Sequence, residues 1–250
     1  DKHATQIFRN FTIMTEELFR EDAYLKSCEA TVTSVNALGG ISLDRSVFYP
    51  TGGGQAGDRG VLRLASGDTI EIVTTVKGDG AENIVHVPAE DAPALSPGDA
   101  VTAEINWDTR YAHMRMHTCL HLLCAVVPYG VTGGQINATK SRLDFDIGDG
   151  SLDKGSITVA INKLIEEDHP VAALWISDAE LDANPDLVRT MSAPPPRNAG
   201  KVRLLSIDGV DLQPCGGTHL ARTGEVGKIR VSKIENKGKR NRRVNIVFDT

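Results

Sequence analysis

Two histidines four residues apart, His117 and His121, are the first residues whose types and spacing indicate chemistry, in the run MRMHTCLHLL. Positions i and i+4 of an α-helix lie on the same face, so both imidazoles can reach one point. Two imidazole nitrogens on a rigid helix suit zinc. His113, one turn earlier, is an alternative to either histidine. Position 118 is Thr118 rather than the glutamate of HExxH, which disfavours a metalloprotease of that type.

A second set of metal-ligating side chains occurs far along the chain, in DLQPCGGTHL. Here Cys215 and His219 flank Gly216 and Gly217, and the glycines allow the backbone to wrap closely around an ion. Three histidines and one cysteine are a common tetrahedral complement for zinc. The sequence therefore predicts one Zn²⁺ ion per chain, with four ligands: His117, His121, Cys215 and His219.

A glycine-rich stretch, FYPTGGGQAGDRG, spans residues 48–60 and includes the GxGxxG spacing of dinucleotide-binding loops. Such a loop must lead directly into a helix, because the phosphates bind at the helix amino terminus. Here the strand-like run GDRGVLRL follows instead, so we do not interpret the spacing as a nucleotide site. Two interpretations stay open: a tight turn of a barrel, or a loop that brings Gln55 close to another surface.

The elements that must position these residues change in type along the chain. Six short runs separated by turn residues predict strands of a small barrel: CEATVTSVN, GISLD, VLRL, DTIEIVTTVK, NIVHV and VTAEIN. From Asp108, the predicted N-cap, the period becomes helical and Pro128 ends it. A second helix is predicted over residues 156–168 and a short helical stretch over DAELDANPDLVR, with APPP as a loop. The remaining strands are VAALWIS, KVRLLSI, GKIRVSKI and RRVNIVF.

The predicted fold class is therefore α+β, a small β-barrel domain followed by an α+β domain that contains the zinc site. We assign residues 1–13 to an extension or an expression remnant, because MTEELF from Met14 resembles a native start. Residues 14–103 are predicted to form the barrel domain with the glycine-rich loop. Residues 104–250 are predicted to form the α+β domain.

Composition limits the classes of partner. A net charge of −6 argues against indiscriminate binding to nucleic acid, yet residues 228–243 contain eight basic residues and one acid. Such a patch is typical of a local contact with nucleic acid, or of a solvated loop between strands. No apolar run approaches the roughly 18 residues of a membrane helix and no signal sequence is evident, which predicts a cytoplasmic protein without a membrane partner. The four cysteines are expected to be free thiols or metal ligands.

Five motifs together resemble those of a known family. The glycine-rich stretch, MRMHTCLHLL, KSRLDFD, CGGTHL and KGKRNRRVNI occur in the order found in the alanyl-tRNA editing proteins, the AlaX proteins. These are free-standing relatives of the editing domain of alanyl-tRNA synthetase. The resemblance covers nearly all of residues 14–250. Because no class II aminoacylation core is evident, the resemblance implies the free-standing kind.

The resemblance implies a function, a substrate and site residues. The family hydrolyses tRNA for alanine that carries serine or glycine, and its zinc ligands correspond to the four residues already named. Side chains near the aminoacyl end are expected to contact a serine hydroxyl, and the candidates are Gln55, Thr118 and Gln135. The tRNA phosphates are expected to contact the basic stretch, through Lys237, Lys239, Arg240, Arg242 and Arg243.

Several alternatives remain at the level of the sequence. Four protein ligands are typical of structural zinc, whereas catalytic zinc usually keeps one position open. The protein is then either a zinc-dependent hydrolase or a non-catalytic module in which zinc stabilises a tRNA-binding fold. An editing hydrolase for another tRNA, of the threonyl type, is a third reading. The oligomeric state is not indicated by any motif.

Overall fold

The amino-terminal part of the chain forms a closed barrel of six β-strands. The computed structural model describes residues 14–78, 84–191, 195, 197 and 200–249. Its first elements are β1 Glu16–Glu17, α1 Leu18–Glu21, β2 Ser27–Val35, β3 Ile41–Leu43, β4 Arg45–Ser46, β5 Gly60–Leu64, β6 Thr69–Lys77, β7 Ile84–Pro88 and β8 Ala100–Ile105. The barrel closes in the order β2-β3-β7-β6-β5-β8, while β1 and β4 form a separate parallel pair.

Alternating burial explains why these segments are barrel strands. In β6, Ile70 and Ile72 are buried whereas Thr69 and Glu71 are exposed, which is the period of two that places one face inside. All six predicted strands are found, with ends that differ from the predicted ones by one residue. The predicted extension, residues 1–13, lies outside the described residues.

The rest of the chain combines helices with two antiparallel sheets. Its elements are α2 Trp107–Val126, β9 Gly130–Gln135, β10 Lys140–Asp146, α3 Lys154–Glu166, β11 Val171–Ser177, α4 Asp178–Ala183, β12 Lys201–Ile207, β13 Asp211–Pro214, β14 Ile229–Asn236 and β15 Asn241–Phe248. The sheets have the orders β14-β15-β10-β9 and β11-β12-β13. This arrangement confirms the α+β class. The domain boundary near residue 104 stays a prediction; β8 ends at Ile105 and α2 begins at Trp107.

Helix α2 lies at the centre of the second part and carries two of the predicted metal ligands. The side chains of Met114, Met116, Leu122 and Leu123 are fully buried in the core that α2 shares with α3 and the four-stranded sheet. Several polar residues of α2 are buried as well, so it is not a surface helix with one solvent-exposed polar face. No helix in the described ranges is long and apolar enough to cross a membrane.

Two helix starts differ from the predictions. The N-cap of α2 is Asn106, whose side chain accepts a hydrogen bond of 3.0 Å from the amide of Thr109, so the prediction of Asp108 was wrong. Asp108 lies instead in the first turn, where its charge interacts favourably with the helix dipole. Helix α3 begins at Lys154 after the N-cap Asp153, two residues before the predicted start, and ends at Glu166.

The two-residue strands β1 and β4 were missed by the sequence analysis. Three strands of the second part were missed as well. Two of them, β9 and β10, form a hairpin beside the glycine-rich loop, and the third, β13, leads into CGGTHL. The GVTGGQ sequence of β9 contains three glycines, which hides its β-period. Most of the predicted APPP loop, residues 193, 194 and 196, lies outside the described residues.

Candidate metal centre

The four predicted ligands converge on one point. One ligand atom from each of His117, His121, Cys215 and His219 lies within 4.8 Å of the others. The thiol sulfur of Cys215 is 3.4 Å from Nε2 of His117 and 3.2 Å from Nε2 of His219. Ligand atoms around a tetrahedral zinc are separated by about 3.3–3.6 Å at the usual bond lengths. The donor set and its spacing therefore fit zinc.

The outer nitrogens of the histidines are held by other side chains. Nδ1 of His117 donates to Oε1 of Gln55 at 2.9 Å, and Nδ1 of His121 donates to Oδ2 of Asp211 at 2.8 Å. Nδ1 of His219 lies 3.5 Å from Oγ1 of Thr118. Metal-bound imidazoles normally make such bonds, which fix the ring and leave Nε2 for the metal. The arrangement thus has the supporting contacts of a metal site as well as its ligands.

Arginines hold the loop that carries Cys215. Nη1 of Arg203 donates to the carbonyls of Cys215 at 2.8 Å and Gly217 at 3.2 Å, and Arg20 donates to the carbonyl of Gly216 at 3.2 Å. Gly217 also packs directly on the His117 ring, so that an added Cβ would overlap the imidazole. Gly217 therefore permits the close approach that the sequence analysis expected, whereas a Cβ at Gly216 would meet only Arg20 at 3.6 Å.

His113, the alternative ligand, is not part of this group. Its side chain is buried, and its Nδ1 has no hydrogen-bond partner among the described residues. Burial lowers the pKa of His113, so its neutral form is favoured. The ambiguity in the sequence is therefore resolved in favour of His117 and His121.

The charges of the cluster also suit a cation. Burial opposes ionisation of the Cys215 thiol, but the imidazoles of His117 and His219 outweigh it and hold its pKa well below the ordinary value. Burial likewise opposes protonation of His121, yet hydrogen bonds to Asp211 and Cys215 raise its pKa to about 9. Burial and the neighbouring His117 keep the pKa of His219 well below its ordinary value. The Cys215 thiolate and the neutral His219 imidazole are forms that bind metal, whereas His121 must release its proton when a metal binds.

The other cysteines near the cluster are poor nucleophiles. All four cysteines are free, as expected. Burial raises the pKa of Cys119 and that of Cys124 to about 12, so both remain protonated thiols. Because the thiolate is the reactive form, neither residue is suited to a covalent mechanism.

A cavity of about 710 Å³ opens over the cluster. It is lined by His117, His121 and Cys215 of the cluster, by the glycine-rich loop with Tyr49, and by β9. No aspartate or glutamate occurs among the described residues that line it, whereas four cationic residues do: Arg20, Lys77, Arg189 and Arg197. In a protein of net charge −6, this lining favours an anionic ligand.

The glycine-rich loop contacts the end of β9 directly, at the edge of this cavity. Gly53 and Gly54 have φ angles of 57° and 82°, which L-residues with side chains rarely adopt. The amide of Ile136 donates to the carbonyl of Gly54 at 2.8 Å, and the hydroxyl of Tyr49 donates to the carbonyl of Gly52 at 2.9 Å. The loop is thus both a tight turn and a close contact with another surface, which joins the two interpretations left open by the sequence.

The three predicted pocket residues lie in different places. Gln135 is exposed and lines the cavity. Gln55 is buried beneath the cluster, with Nε2 donating to Oγ1 of Thr218 at 2.9 Å in addition to its bond with His117. Thr118 is also buried, and its Oγ1 accepts from the amide of Leu220 at 3.1 Å. Gln55 and Thr118 therefore contact metal ligands rather than the cavity, while their assignment to substrate contact stays a prediction.

The predicted tRNA-binding residues lie on the hairpin of β14 and β15. Arg240 pairs with Asp146 at 3.0 Å, and Arg243 makes a two-bond contact with Asp144 at 2.8 and 2.9 Å. Lys237 and Lys239 are exposed, and Arg242 donates to nearby backbone carbonyls. Two of the five predicted cations are thus partly neutralised by acids of β10.

Sequence reasoning missed the residues that support the cluster. Asp211 and Gln213 alternate along β13, and Nε2 of Gln213 donates to Oδ2 of Asp211 at 2.8 Å. Their spacing of two, immediately before Cys215, was the available signal. Arg20, Lys77 and Arg203 gave no such signal, because each comes from a different strand or helix.

Comparisons with known proteins find similarity to proteins of tRNA aminoacylation and editing. A family model described as "Threonyl and Alanyl tRNA synthetase second additional domain" matches residues 202–245, and one described as "tRNA synthetases class II (A)" matches residues 10–109. An alanyl-tRNA editing protein AlaX-M of Methanosarcina acetivorans is 39% identical over 239 residues, 92% of this chain and 98% of the relative. One from Saccharolobus solfataricus is 33% identical over the same shares. An alanine–tRNA ligase of Saccharolobus islandicus is 31% identical over 88% of this chain but only 25% of the ligase.

Proposed function

Because the chain belongs to the family of AlaX-M alanyl-tRNA editing proteins, we propose that it deacylates mischarged tRNA for alanine. The reaction is hydrolysis of the ester between the amino acid and the terminal ribose, and the wrong amino acid is serine or glycine. One zinc ion, held by His117, His121, Cys215 and His219, takes part. The reaction takes place in the cytoplasm, where aminoacylated tRNA is used.

One observation carries this proposal: a metal-ligand cluster lines a cavity whose described lining contains cations and no acid. Catalytic zinc keeps one position open to water or substrate, which requires free space beside the ligands. Here three ligands face a cavity of about 710 Å³, a volume typical of small-molecule sites. An anionic substrate end can therefore come next to the cluster, which favours an enzyme over a binding module.

The residues of the cavity have separable tasks in such a reaction. When bound, zinc would supply Lewis-acid polarisation or an anchor for the aminoacyl group. The glycine-rich loop and β9 confine the substrate from two sides, and the thiols of Cys119 and Cys124 remain protonated and take no part. Aminoacyl esters are already activated, so placement and modest electrostatic help suffice.

Selectivity for serine follows from unpaired polar groups. A pocket that hydrogen-bonds the serine hydroxyl rejects alanine, because its polar atoms would then lack partners. Of the three predicted contacts, Gln135 is the one whose side chain lines the cavity. We assign it the direct contact, and we assign Gln55 and Thr118 roles that act through His117 and His219.

The tRNA body is proposed to bind through phosphates on the β14–β15 hairpin. Lys237, Lys239 and Arg242 make no ion pair within the described residues, whereas Arg240 and Arg243 share their charge with acids. Such contacts release counterions, so binding weakens steeply as salt concentration rises. Neutralising Lys237 and Lys239 together is expected to weaken tRNA binding and reduce its salt dependence.

The decisive experiment measures hydrolysis of seryl- and alanyl-tRNA for alanine. Native protein, a chelated sample and a His117→Ala/His121→Ala variant are compared, with metal content measured in each. We expect native protein to hydrolyse the seryl ester and not the alanyl ester. The chelated sample and the variant should be inactive. If the protein binds zinc and tRNA but hydrolyses neither ester, it would instead be the non-catalytic tRNA-binding module. Seryl-tRNA for threonine is assayed beside them, and preferential hydrolysis of it would instead support the threonyl-type hydrolase.

A further inference from the structure

Most of the cations in the cavity wall are engaged in holding the protein together. Arg189 donates to the carbonyls of Val127 and Tyr129, both at 2.9 Å, and to that of Cys124, and so caps the end of α2. Arg20 pairs with Glu17 and donates to the cysteine loop. Arg197 pairs with Asp182 at 2.6 Å. These three guanidinium groups have protein partners already.

Lys77 is the remaining cation. It ends strand β6, its side chain is exposed, and it makes no hydrogen bond or ion pair within the described part of the chain. Its aliphatic stem crosses the glycine-rich loop, where a Cβ at Gly52 would lie 3.4 Å from Cε and 3.6 Å from Nζ of Lys77. Among the described residues, the ammonium group thus lies at the cavity without an acidic partner.

We propose that Lys77 is a substrate-binding residue that contacts the phosphate on the 5′ side of the terminal nucleotide. This inference rests on the proposed function and specifies how the barrel takes part in it. The ester lies on the terminal ribose, and the nearest anionic group of that substrate is the phosphodiester of the same nucleotide. A cavity of about 710 Å³ is larger than an amino acid needs, so it admits the nucleoside and brings this phosphate to its wall. Lysine binds phosphate as a compact charge with three donors.

Position also favours Lys77 over the hairpin cations for this contact. Lys77 and the glycine-rich loop belong to the barrel, whereas His117 and His121 belong to α2. Substrate bound between them touches both parts of the molecule. The contact would therefore select a nucleotide ester over a free amino-acid ester, independently of the tRNA body.

Two small substrates that differ in a single group test the contact. One is the 3′-seryl ester of adenosine, and the other is the same ester with a 5′-phosphate. Native, zinc-loaded protein is expected to have a KM about 10- to 100-fold lower for the phosphorylated ester, the usual effect of one charge-assisted hydrogen bond. Lys77→Met should remove this preference by raising only that KM, with kcat unchanged, and Lys77→Arg should retain most of it.

A matched control and a binding assay make the outcomes distinct. Lys163→Met, at an exposed lysine of α3, should leave both KM values unchanged. Equal effects of Lys77→Met on the two esters, or no effect on either, would overturn the proposal. Binding of an uncharged oligoribonucleotide ending in CCA is measured in parallel by fluorescence anisotropy. If native protein hydrolyses neither these esters nor seryl-tRNA for alanine but Lys77→Met still weakens this binding, the phosphate contact stands and the proposed hydrolase activity falls.

Discussion

At the scale of single residues, Gly217 explains how the cysteine loop reaches the histidines of α2. Its α-carbon packs on the His117 ring, where an added Cβ would overlap the imidazole and lie 2.9 Å from Oε1 of Gln55. Gly217→Ala should therefore displace His117 and abolish tight metal binding, measured by competition with a chromophoric chelator. Gly216→Ala is the control, since a Cβ there meets only Nη1 of Arg20 at 3.6 Å. Equal metal affinity in both variants would contradict this account.

Gln55 offers a second test at this scale, because two roles are possible for it. As the acceptor for Nδ1 of His117, it should support metal binding; Gln55→Leu is then expected to lower metal affinity about 10- to 100-fold. Excess zinc should restore hydrolysis to such a variant. A residue that contacts the serine hydroxyl would instead leave metal affinity intact and reduce the serine rate at any zinc concentration. The combined measurement decides between the two.

At the scale of elements, the start of α2 determines how its histidines are presented. Asn106 accepts a hydrogen bond from the amide of Thr109, whereas Asp108 interacts only with the helix dipole. Asn106→Ala should lower the free energy of unfolding by about 1 kcal/mol, measured by urea denaturation. Asp108→Ala should lower the free energy of unfolding by a smaller amount. If Asp108→Ala destabilised the protein more than Asn106→Ala, Asp108 would be the N-cap, as the sequence pattern predicted.

The barrel contains a buried histidine that makes its stability depend on pH. His86 donates from Nδ1 to the carbonyl of Ile41 at 3.0 Å and accepts at Nε2 from the hydroxyl of Ser46 at 2.8 Å. Burial lowers its pKa from 6.5 to about 4. Between these values the unfolded chain binds more protons, so the stabilisation is complete above pH 6.5 and decreases as pH falls.

The expected size of this effect follows from the shift. Between pH 6 and pH 5, His86 should contribute a loss of about 1 kcal/mol in the free energy of unfolding. Urea denaturation with a chelator present, so that metal binding does not interfere, measures it against His86→Gln. The native protein should show the steeper pH dependence. Parallel pH profiles in the two proteins would show that His86 is not the group responsible.

Elements differ in how well the sequence predicts them. The barrel strands have strong periods, and the HxxxH and CGGTH spacings are local, so each half of the cluster is predictable from its own segment. The glycines of β9 mask its period, and the cap of α2 depended on a hydrogen bond two residues earlier than expected. The set of cations that lines the cavity was unpredictable for a different reason. These cations come from α1, β6 and the segments around residues 189 and 197, which only the tertiary fold brings together.

At the scale of the whole molecule, a buried ion pair joins the barrel to the metal-binding helix. Arg110 of α2 and Asp58 of the glycine-rich stretch have side-chain exposures of 0% and 1%, and Nε of Arg110 lies 3.0 Å from Oδ2 of Asp58. The same guanidinium donates to the carbonyls of Ala23 at 2.9 Å and Val47 at 2.6 Å. One side chain thus fixes three separate segments against the start of α2. This contact therefore positions the glycine-rich loop, which lines the cavity, relative to the metal ligands of α2.

Removal of Arg110 should therefore affect both stability and the site. Arg110→Met leaves the Asp58 carboxylate buried without its partner, which typically costs about 3–5 kcal/mol in the free energy of unfolding. The double variant Arg110→Met/Asp58→Asn should recover part of this loss, because no unpaired charge remains. Arg63→Met, in the exposed pair with Glu104, should have little effect on denaturation. If the double variant is as unstable as the single one, the lost carbonyl contacts to Ala23 and Val47 dominate instead of the charge. In either case the KM for the phosphorylated ester should rise more than metal affinity falls, because the barrel wall shifts while the four ligands stay on α2 and the cysteine loop.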